Sequence, residues 1–335
     1  MRAMLSIEPG GPETLQLREV ARPEPGAGEL QVRVLACAVN YPDALIIEDK
    51  YQFRPPRPFA PGFEISGVVE SVGDGVTDWK SGDRLIAVIP HGGLAEVAIV
   101  PAALAIRMDD GRDPVEGAAL VFTYGTSIHA LVDRAALRPG ETLLVLGAAG
   151  GIGLSAIEIG KALGATVVAA VSSEDKAAAA KAAGADRTVI YGRAPFDKDA
   201  SKALAKAFKD AVGPGGADVV YDPVGGDYCE PAFRAIAWEG RYLVVGFPAG
   251  IPALPLNLVL LKAGDVRGVF WGEFTRREPE RNRRHIEQLV AWWEEGKIRP
   301  RIDRVYDLAD AGEAIARLAS RSAIGKVVVN VGLPA

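Results

Sequence analysis

The chain has 335 residues, 49% of them hydrophobic and 24% charged, and a formal net charge of -5. That acidic balance argues against a nucleic-acid binder driven by phosphate neutralisation, and no apolar run reaches the roughly 20 residues that a membrane-spanning helix needs. The start, MRAMLSIEPG, lacks an apolar signal core, so a cytoplasmic location is expected; Cys37 and Cys229 make no disulfide framework, and His91, His129 and His285 show no zinc spacing.

The length admits two domains. The stretch up to about residue 122 reads as β-rich, with β-branched runs at Leu30–Leu35, Ile65–Ser71, Arg84–Ile89 and Leu94–Val100 punctuated by Gly, Pro and Asp. Pro55, Pro56, Pro58 and Pro61 mark an extended loop. From Thr142 the pattern changes to strands alternating with helices. Strands are expected at Leu143–Leu146, Thr166–Val171, Arg187–Ile190, Asp218–Tyr221, Tyr242–Val245 and Val266–Phe270, with alanine-rich helices such as Asp175–Ala183 and Lys202–Ala211 between them. This alternation predicts an α/β fold with a doubly wound parallel sheet. A long amphipathic helix over Pro279–Glu295, a helix over Leu308–Ser320 and a strand over Lys326–Val331 follow.

The first of those strands carries the strongest signal in the chain. It runs directly into Gly147-Ala148-Ala149-Gly150-Gly151-Ile152-Gly153, and a helical stretch begins at once. Strand, glycine turn and helix N-terminus together predict a dinucleotide pyrophosphate site. The glycines admit the phosphates to the backbone and the helix to the strand. An acidic residue about 20 positions after the glycines would favour NAD by binding the ribose hydroxyls. Here the second strand ends Val171-Ser172-Ser173, with Lys176 one helical step on. Ser172 or Ser173 can bond a 2′-phosphate and Lys176 can neutralise it, so NADPH is expected. The two serines also read as a helix N-cap pair, a role compatible with the first.

At this point the sequence resembles the medium-chain dehydrogenase/reductase superfamily, and within it the zinc-free NADPH:quinone oxidoreductase group, which is zeta-crystallin-like. The matching segments occur in order along essentially the whole chain. They are Ala38–Asp43, Pro61–Gly67, Gly82–Arg84, Gly92–Glu96, the glycine turn, Lys181–Asp186, Tyr221–Gly226 and Gly325–Val328. The resemblance implies a discontinuous GroES-like catalytic domain (residues 1–122 and 272–335), a Rossmann NADPH-binding domain (residues 123–271) and an active-site cleft at their junction. Zinc-dependent members carry a cysteine where this chain has Asn40 and a histidine where it has Phe63, and the run of cysteines of their structural-zinc lobe is missing. Neither Asn40 nor Phe63 supplies a ligand zinc prefers, so no metal is expected.

Site residues follow from the same resemblance. Asn40 is placed facing the nicotinamide and the acceptor, where it can donate to developing charge; it also reads as a turn asparagine. Tyr41 and Tyr51 flank that loop, Tyr51 as a pocket or rim tyrosine. Asp43 reads as a cleft-shaping residue or a helix N-cap, and Glu64 as a residue that orders its loop. Thr126 is the chosen nicotinamide contact, with Thr123 in reserve. Tyr191 matches a position near the adenosine. Val245, Gly246 and Phe247 end a later strand, where backbone groups can hold the carboxamide, and Phe270 or Trp271 can wall the pocket. The run Val266–Phe270 is alternatively an edge strand pairing with another subunit. Arg321 and Lys326 match a region near the cofactor and read equally as solvated charges. His129 reads as an ordinary helix residue, and the two cysteines as core.

The expected function is zinc-independent reduction, by NADPH, of a quinone or other α,β-unsaturated carbonyl compound, in a homodimer with no nucleic-acid or membrane partner. An enoyl thioester or carboxylate reductase is the second enzymatic reading, since Arg54, Arg57 and Arg276–Arg277 could line a cleft mouth. A non-catalytic dinucleotide- or RNA-binding, crystallin-like protein is the third.

Overall fold

The computed structural model describes residues 1–333. The chain forms two compact units, one of Met1–Phe122 with the segment from Pro300 onward, the other of Thr123–Arg299.

In the first unit a seven-stranded sheet is built around the strand Glu29–Val39, which pairs with Glu64–Val72, Val97–Pro101 and Lys326–Asn330. The β-branched run at Leu30–Leu35 lies within a longer strand, because both of its ends find partners. Lys326–Asn330 joins antiparallel, with Val327 opposite Val39 and Val328 opposite Ala38. Ile302–Asp307 then adds in parallel on its far side. The valines of the last strand are fully buried, so the C-terminal segment completes the N-terminal sheet. One face of the core is closed by the helix Ala311–Ala319, whose Ala311, Ala314 and Ile315 are buried.

The second unit contains six parallel strands in the order Arg187–Ile190, Thr166–Val171, Thr142–Val145, Ala217–Asp222, Ile236–Val244, Asp265–Gly268. In chain order within the unit this is 3-2-1-4-5-6, the doubly wound arrangement. Leu143, Leu144 and Val145 are 0% exposed, as expected for a strand covered by helices on both faces. The order reverses between Thr142–Val145 and Ala217–Asp222, and ligands of open α/β sheets bind outside such a switch point.

Three expectations need correction. The crossing back from the second unit falls at residue 300, not 272. The helices Trp271–Arg277 and Pro279–Glu294 are bound into the second unit by side-chain chemistry. Phe274 stacks on His129 with ring centroids 4.0 Å apart, Arg281 pairs with Asp133 at 2.6 Å, and the Trp271 indole donates to Asn282 Oδ1 at 3.1 Å. His129, read as an ordinary helix residue, is therefore buried, with Nδ1 2.7 Å from Asp133 in a π-helical turn over His129–Arg134. Finally, the edge strand stops at Gly268, and Phe270 stands at the N-cap of the next helix, 61% exposed.

Candidate functional site

In the second unit the glycine corner is dictated by close packing. Gly147 has φ +56°, a left-handed conformation that favours glycine. A Cβ on it would lie 2.8 Å from Val224 Cγ2, and one on Gly153 would lie 2.5 Å from the Gly147 carbonyl oxygen. These two glycines let turn and helix press together. Gly150 differs: a Cβ there would have a single neighbour within 4 Å, at 3.6 Å. It is the N-cap of the helix Gly151–Ala162, so it leaves open room beside the N–H groups of Gly151, Ile152 and Gly153. Ala149 is buried behind it. Such a cradle at a helix N-terminus is suited to an anion.

Two buried networks hold the corner. Asp222 Oδ1 accepts from Val224 and Gly225 N–H at 2.8 and 2.9 Å, which fixes the loop facing Gly147. Ser155 Oγ donates to the Ile152 and Thr123 carbonyls at 3.0 and 3.2 Å, and Ser127 lies 2.8 Å from both Ser155 and the Tyr221 hydroxyl. Beside this network the buried Thr123 hydroxyl has no partner. Buried hydroxyls are almost always bonded, so this orphan favours Thr123, the reserve choice, over the buried Thr126 as the group kept for a ligand.

At the end of the second strand, Ser173 Oγ caps the helix Glu174–Ala182 by accepting from Lys176 N–H at 3.4 Å. Lys176 Nζ donates to Ser172 Oγ at 3.2 Å. Burial and then the neighbouring charge of Arg193 hold the Lys176 ammonium below its usual pKa. Two cations and a hydroxyl thus converge at the end of the second strand. Arg193 escaped the sequence reading because it lies in an irregular loop. Tyr228 pins that loop by accepting from Ala194 N–H at 3.0 Å and donating to the Gly192 carbonyl at 3.3 Å, while its ring packs on Tyr191 at 5.0 Å. The Val245 and Gly246 N–H groups both donate to the Asp222 carbonyl, at 2.9 and 3.3 Å, so these two donors are engaged within the fold. Phe247 is 46% exposed. Trp271 is buried, and its ring occupies the space where a Cβ on Gly125 would sit. It packs against the helix Val121–Ile128, and of the pair Phe270 is the exposed one.

Glu158, on the glycine-corner helix, accepts from Tyr124 Oη at 2.6 Å and from Arg299 N–H at 3.0 Å, and burial pushes its carboxyl up to about 7. Between about pH 4.5, its ordinary value, and about 7, the folded state holds a proton that the unfolded state has released. Stability contributed here therefore falls as pH rises through that window, by up to about 3 kcal/mol. Glu158→Gln keeps an acceptor oxygen, so its urea midpoint is expected to fall less between pH 5 and 8 than that of the parent chain. Equal pH profiles for the two proteins would refute this. Asp43, also raised to about 7 by burial, keeps part of the slope in both.

In the first unit a second cluster forms around Asn40. Its backbone N–H donates to Asp43 Oδ2 at 2.7 Å, and Gly62 N–H donates to Asp43 Oδ1 at 2.8 Å. Asp43 is thus both the first-turn partner of the Tyr41–Ile47 helix and a tie to the loop at Gly62. The Asn40 side chain, 4% exposed, donates from Nδ2 to Glu64 Oε2 at 3.1 Å and to the Ala38 carbonyl at 3.3 Å. Lys326 Nζ donates to Asn40 Oδ1 at 2.5 Å and to Glu64 Oε2 at 2.9 Å. Glu64 Oε1 accepts from Phe122 N–H at 2.8 Å. Two readings change. Lys326 is not a solvated charge but is 4% exposed, and Asn40 has no idle donor. Around this cluster Tyr51 meets Phe63 edge-on at 5.8 Å, while Tyr41 is 40% exposed. With Glu64 committed to Lys326 and Phe63 bearing no donor, these side chains do not form a zinc ligand set. Among the described residues no group of three or more His, Cys, Asp or Glu is placed to hold a metal ion, and no helix is long and apolar enough to cross a membrane.

Comparison with known proteins agrees with this architecture. Residues 26–110 match the family described as alcohol dehydrogenase GroES-like domain, and residues 151–291 the family described as zinc-binding dehydrogenase. The bovine quinone oxidoreductase-like protein 2 is 37% identical over 90% of this chain and 85% of its own. A mycobacterial protein solved with NADPH superposes with TM-score 0.90 at 29% identity, over 99% of this chain and 100% of that one. The quinone oxidoreductase of Escherichia coli solved with NADPH does so with TM-score 0.88 at 27% identity, again over 99% and 100%. A GroES-like unit joined to a Rossmann unit with an open glycine corner defines an α/β oxidoreductase. The chain belongs to the medium-chain dehydrogenase/reductase superfamily, in its zinc-free quinone oxidoreductase group.

Proposed function

We propose that this oxidoreductase uses NADPH to reduce a conjugated carbonyl acceptor, with quinones and enones as the substrate class. The observation that carries the reading is the open glycine corner, together with the convergence of Ser172, Lys176 and Arg193 at the end of the next strand. When bound, the reduced nicotinamide supplies the electron pair and hydrogen that the acceptor carbon receives.

The chain's own residues bind and orient. The N–H groups of Gly151, Ile152 and Gly153 and the positive end of their helix meet the pyrophosphate. Lys176 and Arg193 neutralise the 2′-phosphate, with Ser172 as hydrogen-bond partner, and Tyr191 lies by the adenosine. The free Thr123 hydroxyl meets the nicotinamide end, and Phe270 offers an apolar wall. On the acceptor side, the Asn40 amide N–H donates to the developing negative charge by giving up its bond to the Ala38 carbonyl. Burial and then the Asp43 carboxylate raise the Tyr51 hydroxyl above its ordinary pKa. Tyr51 therefore keeps its proton at neutral pH and can return it to the reduced acceptor.

The test is NADPH oxidation across quinones, enals and enoyl thioesters, beside fluorescence titration with NADPH and NADH. Lys176→Ala is expected to weaken NADPH about 10-fold or more while changing NADH little, since a lost ion pair at a phosphate costs about 1.5–3 kcal/mol. Equal losses for both nucleotides would remove the 2′-phosphate assignment. No turnover with any acceptor would remove the enzymatic reading, and turnover confined to enoyl thioesters would move the substrate class.

We further propose that the protein is a homodimer joined at the open edge strand Asp265–Gly268. Antiparallel pairing of two copies about Val266, which is 46% exposed, would set Asp265 of each opposite Arg267 of the other. Leu256, Leu260 and Leu261 beside it are 77%, 80% and 68% exposed. A sedimenting monomer at micromolar concentration would refute the assembly, and conversion of a dimer to monomer by Val266→Lys is the expected result.

A further inference from the structure

Lys326 is the sole lysine or arginine among the buried described residues. A buried ion pair is a poor way to stabilise a strand, since apolar residues of similar volume usually do as well or better, and the three valines that follow Lys326 do that work here. The register explains its position. With Val327 opposite Val39, Lys326 falls opposite Asn40, and with Ala38 opposite Glu64, that carboxylate falls beside both.

The cluster has a direction. The ammonium donates to the oxygen end of the Asn40 amide at 2.5 Å, and the Glu64 carboxylate accepts from the nitrogen end at 3.1 Å. With its oxygen bonded to a cation, an amide becomes a stronger N–H donor. Asp43 holds the Asn40 backbone at the same time. The remaining Nδ2 bond, to the Ala38 carbonyl at 3.3 Å, is the longest of the set and the one most readily exchanged.

Building on the reductase reading above, we infer that Lys326 is a positioning residue for the reaction. Its ammonium locks the orientation of the Asn40 amide and polarises it. The amide N–H then exchanges the Ala38 carbonyl for the acceptor oxygen as negative charge develops there. Lys326 does not touch the acceptor; it acts through Asn40.

The test uses Lys326→Arg, which keeps the charge, and the double variant Lys326→Met/Glu64→Gln, which removes both charges of the pair. In the double variant kcat is expected to fall about 10- to 100-fold, below the full loss of an oxyanion donor, at unchanged NADPH affinity and nearly unchanged KM. Lys326→Arg is expected to retain most of the activity. An equilibrium probe accompanies the kinetics: 4-nitrophenolate, whose oxygen carries the charge an acceptor would develop, is expected to bind the double variant about 10-fold more weakly than the parent, followed by its absorbance. A folded double variant with parental kcat and parental phenolate affinity would overturn the proposal, as would a parent protein that does not bind the phenolate. If the parent binds NADPH but reduces no acceptor, the reductase reading fails, and phenolate affinity alone decides the role of Lys326.

Discussion

Gly153→Ala is expected to weaken NADPH binding by about 10- to 100-fold and to destabilise the protein as well. The added methyl would sit 2.5 Å from the Gly147 carbonyl oxygen and 2.6 Å from the Ala148 Cα. Both are backbone atoms of the corner itself, so no side chain can rotate away to relieve the overlap. Overpacking of this kind costs about 1–3 kcal/mol, and the strain is relieved by lifting the helix N-terminus off the strand. That movement also displaces the N–H groups offered to the pyrophosphate, and each 1.4 kcal/mol of misfit is about tenfold in affinity. Gly150→Ala separates the two effects. Its backbone, φ −75° and ψ 164°, suits alanine, and the nearest atom to the new methyl would be 3.6 Å away. Stability is expected to hold while binding falls, because the methyl fills the cradle. Fluorescence titration with NADPH and urea unfolding of both variants check this. Parental affinity in Gly150→Ala would mean that the cradle does not hold the phosphates.

Lys326→Met alone is expected to cost about 3–5 kcal/mol of stability, as removal of one partner from a buried ion pair commonly does. The loss comes less from the missing attraction than from Glu64, which is 0% exposed and would keep its charge without its cation. The Lys326→Met/Glu64→Gln pair should regain most of the loss at pH 7. The Phe122 N–H retains an acceptor in that protein, and the side chain at position 64 no longer bears a charge. Urea unfolding of the two single variants and the double variant at pH 7 measures the coupling. Additive losses would show that Lys326 and Glu64 do not depend on each other.

The parallel sheet and its dinucleotide corner were legible in the chain because their signals are consecutive. An apolar strand, a glycine turn and a helix lie within one short stretch, and each local preference agrees with the others. The placement of Ser172, Ser173 and Lys176 at the end of the next strand was legible for the same reason. Arg193 was not, because its place depends on a loop pinned by Tyr228 from another part of the chain. The end of the second unit was also misplaced, since the affiliation of the helix Trp271–Arg277 rests on stacking between Phe274 and His129, far apart in sequence.

The Asn40 cluster marks the clearest division between the two levels. Residue types alone determined that this loop lacks the cysteine and histidine of the zinc-dependent relatives, and that a nucleotide corner follows it in the chain. Tertiary structure alone decided what Asn40 and Lys326 do, because 286 positions separate them and a lysine read in isolation belongs in water. Only antiparallel pairing of the last strand with Glu29–Val39 places the ammonium opposite the amide, out of solvent and beside a carboxylate able to balance its charge.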